Sequence, residues 1–250
     1  AFIDTLALCN AAAAALGLPD AGLATYSDMV GRAEMICSIT ATPLIADADT
    51  GYGGLLNVRR TVRGYEAAGV AAIQIEDQEM PKKCGHTPGR RVVPAEEMVL
   101  KIRVAVEARR HDETMIVART DARTAHGLDE ALRRARLYEE AGADVIFVES
   151  PESEAELERI GREIEKPLLA NMVEFGKTPR VEVERLKKWG FDLAIYPGLG
   201  FSVAAEAMRL AWTHLKGKGT SIGVEAPQYR DMHELMGFPD VWDFEKRWAP

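Results

Sequence analysis

The feature that most constrains the fold of this chain is a short apolar stretch, residues 43–46, that ends in two acids and a glycine-rich turn. The stretch reads Pro-Leu-Ile-Ala without a polar interruption, which is typical of a strand buried on both faces. Asp47 and Asp49 follow at once, and three glycines lie within residues 51–54. Strands buried on both faces belong to parallel sheets, so this stretch predicts an α/β fold with charged groups at a strand tip.

The same pattern of an apolar strand ending in a polar residue repeats along the chain. The predicted strands are residues 2–8, 43–46, 70–76, 114–120, 144–149, 166–171 and 192–197. The intervening helices are predicted at residues 27–39, 57–68, 94–109, 128–141, 152–164, 179–189 and 203–216, with Ser27 as the N-cap of the first. This alternation predicts a parallel sheet, and polar residues at successive strand ends are typical of a (β/α)8 TIM-type barrel.

The pattern contains seven strands, whereas a (β/α)8 barrel has eight. Either one strand is cryptic or the chain starts after the first strand and helix. The length of 250 residues suits one large domain, predicted over residues 1–250. We predict extra C-terminal helices at 219–250, where aromatic residues such as Trp242 lie in a charged sequence. These residues could pack on their own barrel or on a neighbouring subunit.

Composition excludes several classes of partner. The net charge is −8 and the basic residues are dispersed among acids, so no nucleic-acid partner is expected. The apolar segment at residues 6–18 is too short to span a bilayer and has no basic flank, so we predict a core helix and no membrane partner. Cys9, Cys37 and Cys84 lack the spacing of metal ligands, which favours a reducing, cytoplasmic compartment.

Asp47 and Asp49 are candidate metal ligands. Side chains alternate along a strand, so the two carboxylates point the same way and repel each other. Burial of this pair requires a cation or raised pKa values, and oxygen ligands favour a hard ion such as magnesium. The alternative is that Asp49 is a turn or N-cap residue and Asp47 pairs with a distant arginine.

The connection after the third strand is a second candidate for function. Residues 80–92 contain Pro and Gly, show no apolar periodicity and are long for a strand-to-helix connection, which predicts a mobile active-site loop. Cys84 lies between Lys82, Lys83 and His86, and this positive field is expected to lower the thiol pKa and favour the thiolate. The alternative is a solvated basic loop with an incidental cysteine.

Four motifs together resemble the isocitrate lyase and phosphoenolpyruvate mutase superfamily. They are Asp-Ala-Asp-Thr-Gly-Tyr-Gly at 47–53, Ile-Glu-Asp-Gln at 75–78, Lys-Lys-Cys-Gly-His at 82–86 and Ala-Arg-Thr-Asp at 118–121. The order and spacing continue through the strand ends at Glu149 and Asn171, so the resemblance covers nearly the whole chain. The cysteine motif marks the carbon–carbon lyases of the superfamily, and the short length and Pro197 resemble its short lyase branch.

The resemblance implies a cofactor and a role for each matching residue. The cofactor would be Mg²⁺, with Mn²⁺ as the alternative ion, held by Asp47, Asp49 and Glu76. The catalytic residues would be Lys82, Cys84, His86 and Arg119. The substrate would be bound by Arg119, Glu149, Asn171, Gly85 and Asp20. The resemblance also implies a homotetramer in which C-terminal helices are exchanged between subunits.

The activity implied is magnesium-dependent cleavage of a 2-hydroxy di- or tricarboxylate of the 2-methylisocitrate or 2-alkylmalate type. The products would be a pyruvate-like 2-oxo acid and a succinate-like acid. Two alternatives are an oxaloacetate hydrolase or decarboxylase, and a non-catalytic remnant that binds metal and dicarboxylate. The remnant is favoured by Ala7 and Leu8, followed by Cys9 and Asn10, where relatives have Ser-Gly or Thr-Gly. Leucine does not permit the close backbone approach that glycine does.

Overall fold

The computed structural model describes residues 6–8 and 17–249, with side chains from residue 17 onward, and divides the chain into two compact units, residues 1–201 and 202–250. The first unit contains a seven-stranded parallel sheet whose strands follow one another in chain order. The strands are β1 (Leu6–Leu8), β2 (Leu44–Asp47), β3 (Ala72–Glu76), β4 (Met115–Thr120), β5 (Val145–Val148), β6 (Leu168–Asn171) and β7 (Leu193–Ile195). Each predicted strand segment overlaps one of them, which confirms the parallel α/β prediction.

Among the described residues, seven helices lie between or beside these strands. They are α1 (Tyr26–Ile39), α2 (Leu55–Ala67), α3 (Ala95–Ala108), α4 (Ala122–His126), α5 (Leu128–Glu140), α6 (Glu154–Glu163) and α7 (Val183–Lys188). The N-cap of α1 is Thr25 and not Ser27, because Thr25 and Asp28 bond each other's backbone N–H groups in a capping box. The short helix α4 was not predicted; Gly127, with φ of +86°, separates it from α5.

Helix α8 (Leu199–Lys218) begins at the end of the first unit and continues into the second. The second unit also contains α9 (Tyr229–Leu235) and α10 (Phe238–Trp248), which contact each other. In the described part of the chain, no helix is long and apolar enough to cross a bilayer. Two predictions lie outside the side chains that the structure describes. One is the core helix within residues 6–18, and the other concerns Ala7 and Leu8, where relatives have Ser-Gly or Thr-Gly.

Two apolar clusters occupy the two faces of the sheet. The larger one packs helix residues such as Tyr65, Met98 and Tyr138 against every second residue of the strands. The smaller one contains strand residues only, among them Val117 and Phe147. Because side chains alternate along a strand, every second residue further along each strand also lies on this second face, up to the carboxyl ends of the strands. There the apolar side chains give way to polar ones, which form the floor of the candidate site.

Candidate active site

Polar side chains from neighbouring strands meet above the smaller apolar cluster. In the strand register Asp47 lies beside Gln74, and Glu76 lies beside Arg119. All four side chains are buried, and Glu149, directly after β5, is completely so. Carboxyl ends of adjacent parallel strands lie at one edge of a sheet, which explains how residues from distant parts of the chain converge here.

A cavity of about 90 Å³ opens at this edge, and its lining contains all predicted catalytic and substrate-binding residues. These are Asp20, Lys82, Cys84, Gly85, His86, Arg119, Glu149 and Asn171. Of the predicted metal ligands only Asp47 lines this cavity. Asp49 lines a second cavity that shares Asp20, Asp47 and Lys82 with the first, and Glu76 is fully buried.

The Lys82 ammonium lies between two carboxylates. Its Nζ is 2.5 Å from Asp20 Oδ1 and 2.7 Å from Asp49 Oδ1. Burial and the nearby Asp47 charge raise the pKa of Asp49 to about 6, against the lowering effect of Lys82. Burial lowers the pKa of Lys82, but the surrounding carboxylates, Glu76 foremost, outweigh burial and raise it above its ordinary value. Lys82 is therefore a buried, permanently charged group at neutral pH.

The predicted ligands Asp47, Asp49 and Glu76 fit a hard cation by their donor chemistry. Glu76 Oε2 is buried and has no hydrogen-bond partner among the described residues, while its Oε1 accepts from Gln78 Nε2 at 2.9 Å. Burial raises the pKa of Glu76 well above its ordinary value. Over residues 6–8 and 17–249, no three acidic, His or Cys side chains are already arranged as a ligand set. The carboxylates suit Mg²⁺, but an ion would have to share Asp49 with Lys82 or displace it.

Cys84 faces the cavity from the predicted loop, and its backbone N–H donates to Asp20 O at 3.2 Å. The expected lowering of its pKa is wrong. Burial raises the pKa of the thiol, and the nearby carboxylates of Asp20 and Glu149 add to this effect. Lys82, two residues earlier in the sequence, forms ion pairs with Asp20 and Asp49. Cys84 is therefore a neutral thiol at physiological pH.

His86 connects the loop to the segment after β6. Its Nδ1 accepts the backbone N–H of Lys177 at 3.1 Å, so the neutral ring carries its proton on Nε2, which lies 3.3 Å from Glu149 Oε1. Burial lowers the pKa of His86, against the raising effect of Glu149. A Cβ on Gly176 would lie 2.8 Å from His86 Nδ1, so this contact requires glycine. His86 acts here as a structural connection between two loops.

Arg119 is held by Asp121 and approached closely by the loop. Its Nε and Nη2 donate to the two carboxylate oxygens of Asp121 at 2.9 and 3.0 Å. Burial lowers the pKa of Arg119, but Asp121, Glu76 and Glu149 outweigh burial and raise it well above its ordinary value. A Cβ on Gly85 would lie 2.6 Å from Arg119 Nη2, so the cavity wall requires glycine at this position.

Sequence reasoning missed several residues of the site. Gln74 lines the cavity and donates to Asp47 Oδ1 at 3.3 Å, and its position two residues before Glu76 on β3 was the signal that it shares that face. Ser150, within reach of Gly85 O and Glu149 Oε1, and Arg90, bound to Asp121, carried no comparable signal.

The family of the chain follows from comparison with known proteins. A family model described as phosphoenolpyruvate phosphomutase matches residues 5–216. The chain belongs to the phosphoenolpyruvate phosphomutase family. The resemblance predicted from the four motifs is thereby confirmed.

Within the phosphoenolpyruvate phosphomutase family the chain is similar to several lyases. It is 50% identical to a 2,3-dimethylmalate lyase of Eubacterium barkeri, over 94% of this chain and 82% of the relative. It is 44% identical to a 2-methylisocitrate lyase of Aeropyrum pernix, over 93% of this chain and 74% of the relative. These relatives confirm the prediction of an enzyme, a carbon–carbon lyase.

Solved structures of the superfamily share the fold. A 2,3-dimethylmalate lyase, described as a PEP mutase/isocitrate lyase superfamily member, aligns with a TM-score of 0.89 at 38% identity, over 98% of this chain and 84% of that one. An oxaloacetate acetylhydrolase in complex with 3,3-difluorooxaloacetate aligns with a TM-score of 0.91 at 34% identity, over 97% of this chain and 84% of that one. A phosphonopyruvate hydrolase complexed with oxalate and Mg²⁺ aligns with a TM-score of 0.86 at 27% identity, over 99% of this chain and 87% of that one. These neighbours confirm the TIM-like α/β fold class.

Proposed function

We propose that this lyase cleaves a 2-hydroxy di- or tricarboxylate of the 2-alkylmalate or 2-methylisocitrate type into a pyruvate-like 2-oxo acid and a succinate-like acid. The observation that carries the proposal is that Cys84, Arg119 and Lys82 line one cavity. Burial raises the pKa of the Cys84 thiol, which favours the protonated form that a proton donor needs. The 50% identity to a 2,3-dimethylmalate lyase over nearly the whole chain supports this substrate class.

The proposed roles follow from the charge and hydrogen-bonding capacity of each side chain. When the carbon–carbon bond breaks, the substrate hydroxyl gives its proton to one of the carboxylates that line the cavity. The hydroxyl-bearing carbon becomes the keto carbon, and the electron pair of the broken bond remains on the departing acid. That fragment needs positive charge beside its carboxylate, from Arg119 and Lys82, and a proton on carbon, from Cys84. Asn171 Oδ1 is buried without a hydrogen-bond partner among the described residues, so it is free to accept from a substrate hydroxyl.

We propose Mg²⁺ as the cofactor, with Mn²⁺ as the alternative, held by Asp47, Asp49 and Glu76. Two observations support this proposal: the buried Glu76 Oε2 has no hydrogen-bond partner among the described residues, and the phosphonopyruvate hydrolase neighbour is complexed with Mg²⁺. When bound, a divalent ion acidifies a coordinated hydroxyl and polarises a carbonyl oxygen. The protein residues would orient the substrate carboxylates and keep water away from the departing carbanion.

We propose that residues 80–92 act as a lid. Both ends of this loop are held: Glu79 N donates to Arg91 O at 2.9 Å, and Gln78 forms a bridge with Val92. Between them, exposed residues such as Pro88 alternate with the cavity-lining Lys82, Cys84 and His86. A loop fixed at its base can open and close over the cavity as one body.

We also propose a homotetramer with exchanged C-terminal helices. In the second unit, Trp212, Phe244 and Trp248 are about two-thirds exposed, and exposed aromatic surface of this kind favours an interface with another copy of the chain. Light scattering coupled to size-exclusion chromatography measures the mass directly. A catalytic free thiol also favours a reducing compartment such as the cytoplasm.

The decisive experiment mixes purified protein and Mg²⁺ with one of three candidate substrates at a time: 2,3-dimethylmalate, 2-methylisocitrate or oxaloacetate. Formation or loss of 2-oxo acid is followed with and without a chelator. Chelator-sensitive cleavage of either hydroxy acid supports the proposal and identifies the substrate. Turnover of oxaloacetate alone favours the hydrolase or decarboxylase alternative, for which the oxaloacetate acetylhydrolase neighbour is the precedent. Inactivity toward all three favours the non-catalytic alternative.

A further inference from the structure

We propose that Arg90 is a positioning residue whose buried positive charge shares Asp121 with Arg119 and so keeps the Arg119 guanidinium available for a substrate carboxylate. The inference rests on the proposed function, because it concerns how the carboxylic acid is bound. No role for Arg90 followed from the sequence motifs, although it lies within the lid.

Arg90 reaches from the lid into three neighbouring segments. Its side chain is completely buried, and Nη1 lies 2.5 Å from Asp121 Oδ1. Nη2 contacts the Thr124 hydroxyl on α4 and lies 3.5 Å from Ser150 Oγ after β5. A fully buried guanidinium is tolerated only when it is paired, so these contacts hold the charge of Arg90 at this point.

Asp121 is the carboxylate that both arginines share. Arg119 already occupies both of its oxygens, and a buried pair of one guanidinium and one carboxylate would be neutral. The second guanidinium leaves a net positive charge on the three side chains together. Glu76 and Glu149 also pair with Arg119, each at 3.5 Å, so three carboxylates surround this one guanidinium. The charge of Arg90 offsets part of that negative charge beside the cavity, where charged groups interact strongly with a bound anion.

A second route connects Arg90 to the cavity wall. Ser150 has φ of +58°, and its hydroxyl lies 2.7 Å from Gly85 O and 2.9 Å from Glu149 Oε1. The single hydroxyl proton can serve one of these acceptors at a time. Arg90 therefore contacts two residues that support the cavity wall. Asp121 holds Arg119, and Ser150 lies within hydrogen-bond distance of the Gly85 carbonyl oxygen.

The test compares two neighbouring arginines of the same loop. Arg91 is the matched control, because its side chain is 74% exposed and pairs with the exposed Glu79. The variants are R90M and R90Q, which remove the charge, R90K, which keeps it, and R91M. The measurements are the Kd of oxalate in the presence of Mg²⁺ by calorimetry, kcat and KM for 2,3-dimethylmalate, and the melting temperature.

We expect R90M and R90Q to raise KM and the oxalate Kd at least about tenfold, with a smaller change in kcat. R90K should restore both constants to within about threefold of wild type, and R91M should leave them unchanged. Folded R90M and R90Q with wild-type constants would overturn the proposal. So would an R90K variant as weak as the neutral ones, or loss of folding in both neutral variants, because Arg90 would then serve packing or stability.

The two proposals can fail separately. Wild-type protein that binds oxalate but does not cleave 2,3-dimethylmalate would remove that substrate assignment, while the oxalate Kd of the variants would still decide the role of Arg90. If the wild type cleaves 2,3-dimethylmalate but binds no oxalate, the KM of the variants decides the role of Arg90. Wild-type protein that neither cleaves 2,3-dimethylmalate nor binds oxalate would overturn both proposals.

Discussion

At Gly85 the backbone of the lid passes close to Arg119 and Glu149, and we expect Gly85→Ala to impair catalysis without unfolding the protein. A Cβ at this position would lie 2.6 Å from Arg119 Nη2 and 2.7 Å from Glu149 Cδ. The first distance is about 0.8 Å shorter than the 3.4 Å at which ordinary contact begins. Gly85 has no positive φ, so the penalty is steric and not conformational.

The lid, and not the strand ends, must yield to the added methyl group. Arg119 is held by two hydrogen bonds to Asp121, and Glu149 is fully buried. A shift of nearly 1 Å in the loop also moves the adjacent Cys84, and a misplacement of this size lowers a rate about 100-fold. We therefore expect kcat/KM to fall about 100-fold and the melting temperature to stay near the wild-type value.

The assay is steady-state cleavage of 2,3-dimethylmalate, with thermal unfolding as the check on folding. Gly31→Ala is the matched control, because Gly31 lies within α1 and its added Cβ would have no neighbour within 4 Å in the described part of the chain beyond the helix's own backbone. Gly31→Ala should leave kcat/KM unchanged. A folded Gly85→Ala variant with wild-type kcat/KM would refute the reasoning, because the close approach of the lid would then be unnecessary for catalysis.

Three further predictions concern the thiol, the metal and the core. Cys84→Ser should lower turnover about 100-fold or more with the fold intact. Burial raises the thiol pKa, so the wild-type rate should stay constant below that pKa and fall above it. The Cys84→Ser variant should lack this alkaline decline. Near-normal turnover by the variant would exclude Cys84 as the proton donor. Asp49→Ala should weaken Mg²⁺ affinity in calorimetry, and an unchanged titration would remove it from the ligands. Tyr138→Phe removes a buried 2.7 Å hydrogen bond to Asp77, so the free energy of unfolding in urea should fall by about 1.5–3 kcal/mol. The exposed Tyr229→Phe is the control. Equal losses in the two variants would contradict the argument.

Local sequence patterns were sufficient for the fold class, whereas the roles of most candidate site residues were predicted from the family resemblance. The alternation of apolar and polar positions is a property of neighbouring residues, so it predicted seven strands and the polar tips that carry Asp47, Glu76 and Arg119. The motif at 82–86 also predicted the loop that lines the cavity. Helix ends were less accurate, as at Thr25, because caps depend on individual hydrogen bonds.

Burial and long-range pairing were decided only by the tertiary structure. The sequence around Cys84 is basic and predicted a thiolate, yet the folded chain brings Asp20 and Glu149 beside the sulfur and raises its pKa. The cause is that desolvation and Coulomb energies depend on distances between atoms in space, and residues close to Cys84 in sequence point elsewhere.

Arg90 and Arg91 illustrate the limit most directly. They are the same residue type at consecutive positions of one loop, so their sequence alone offers no reason to separate them. In the folded protein the first is buried against Asp121, 31 residues away, and the second pairs with Glu79 in solvent. The path of the backbone directs one side chain inward and the next outward, and that path is set by the packing of the whole first unit.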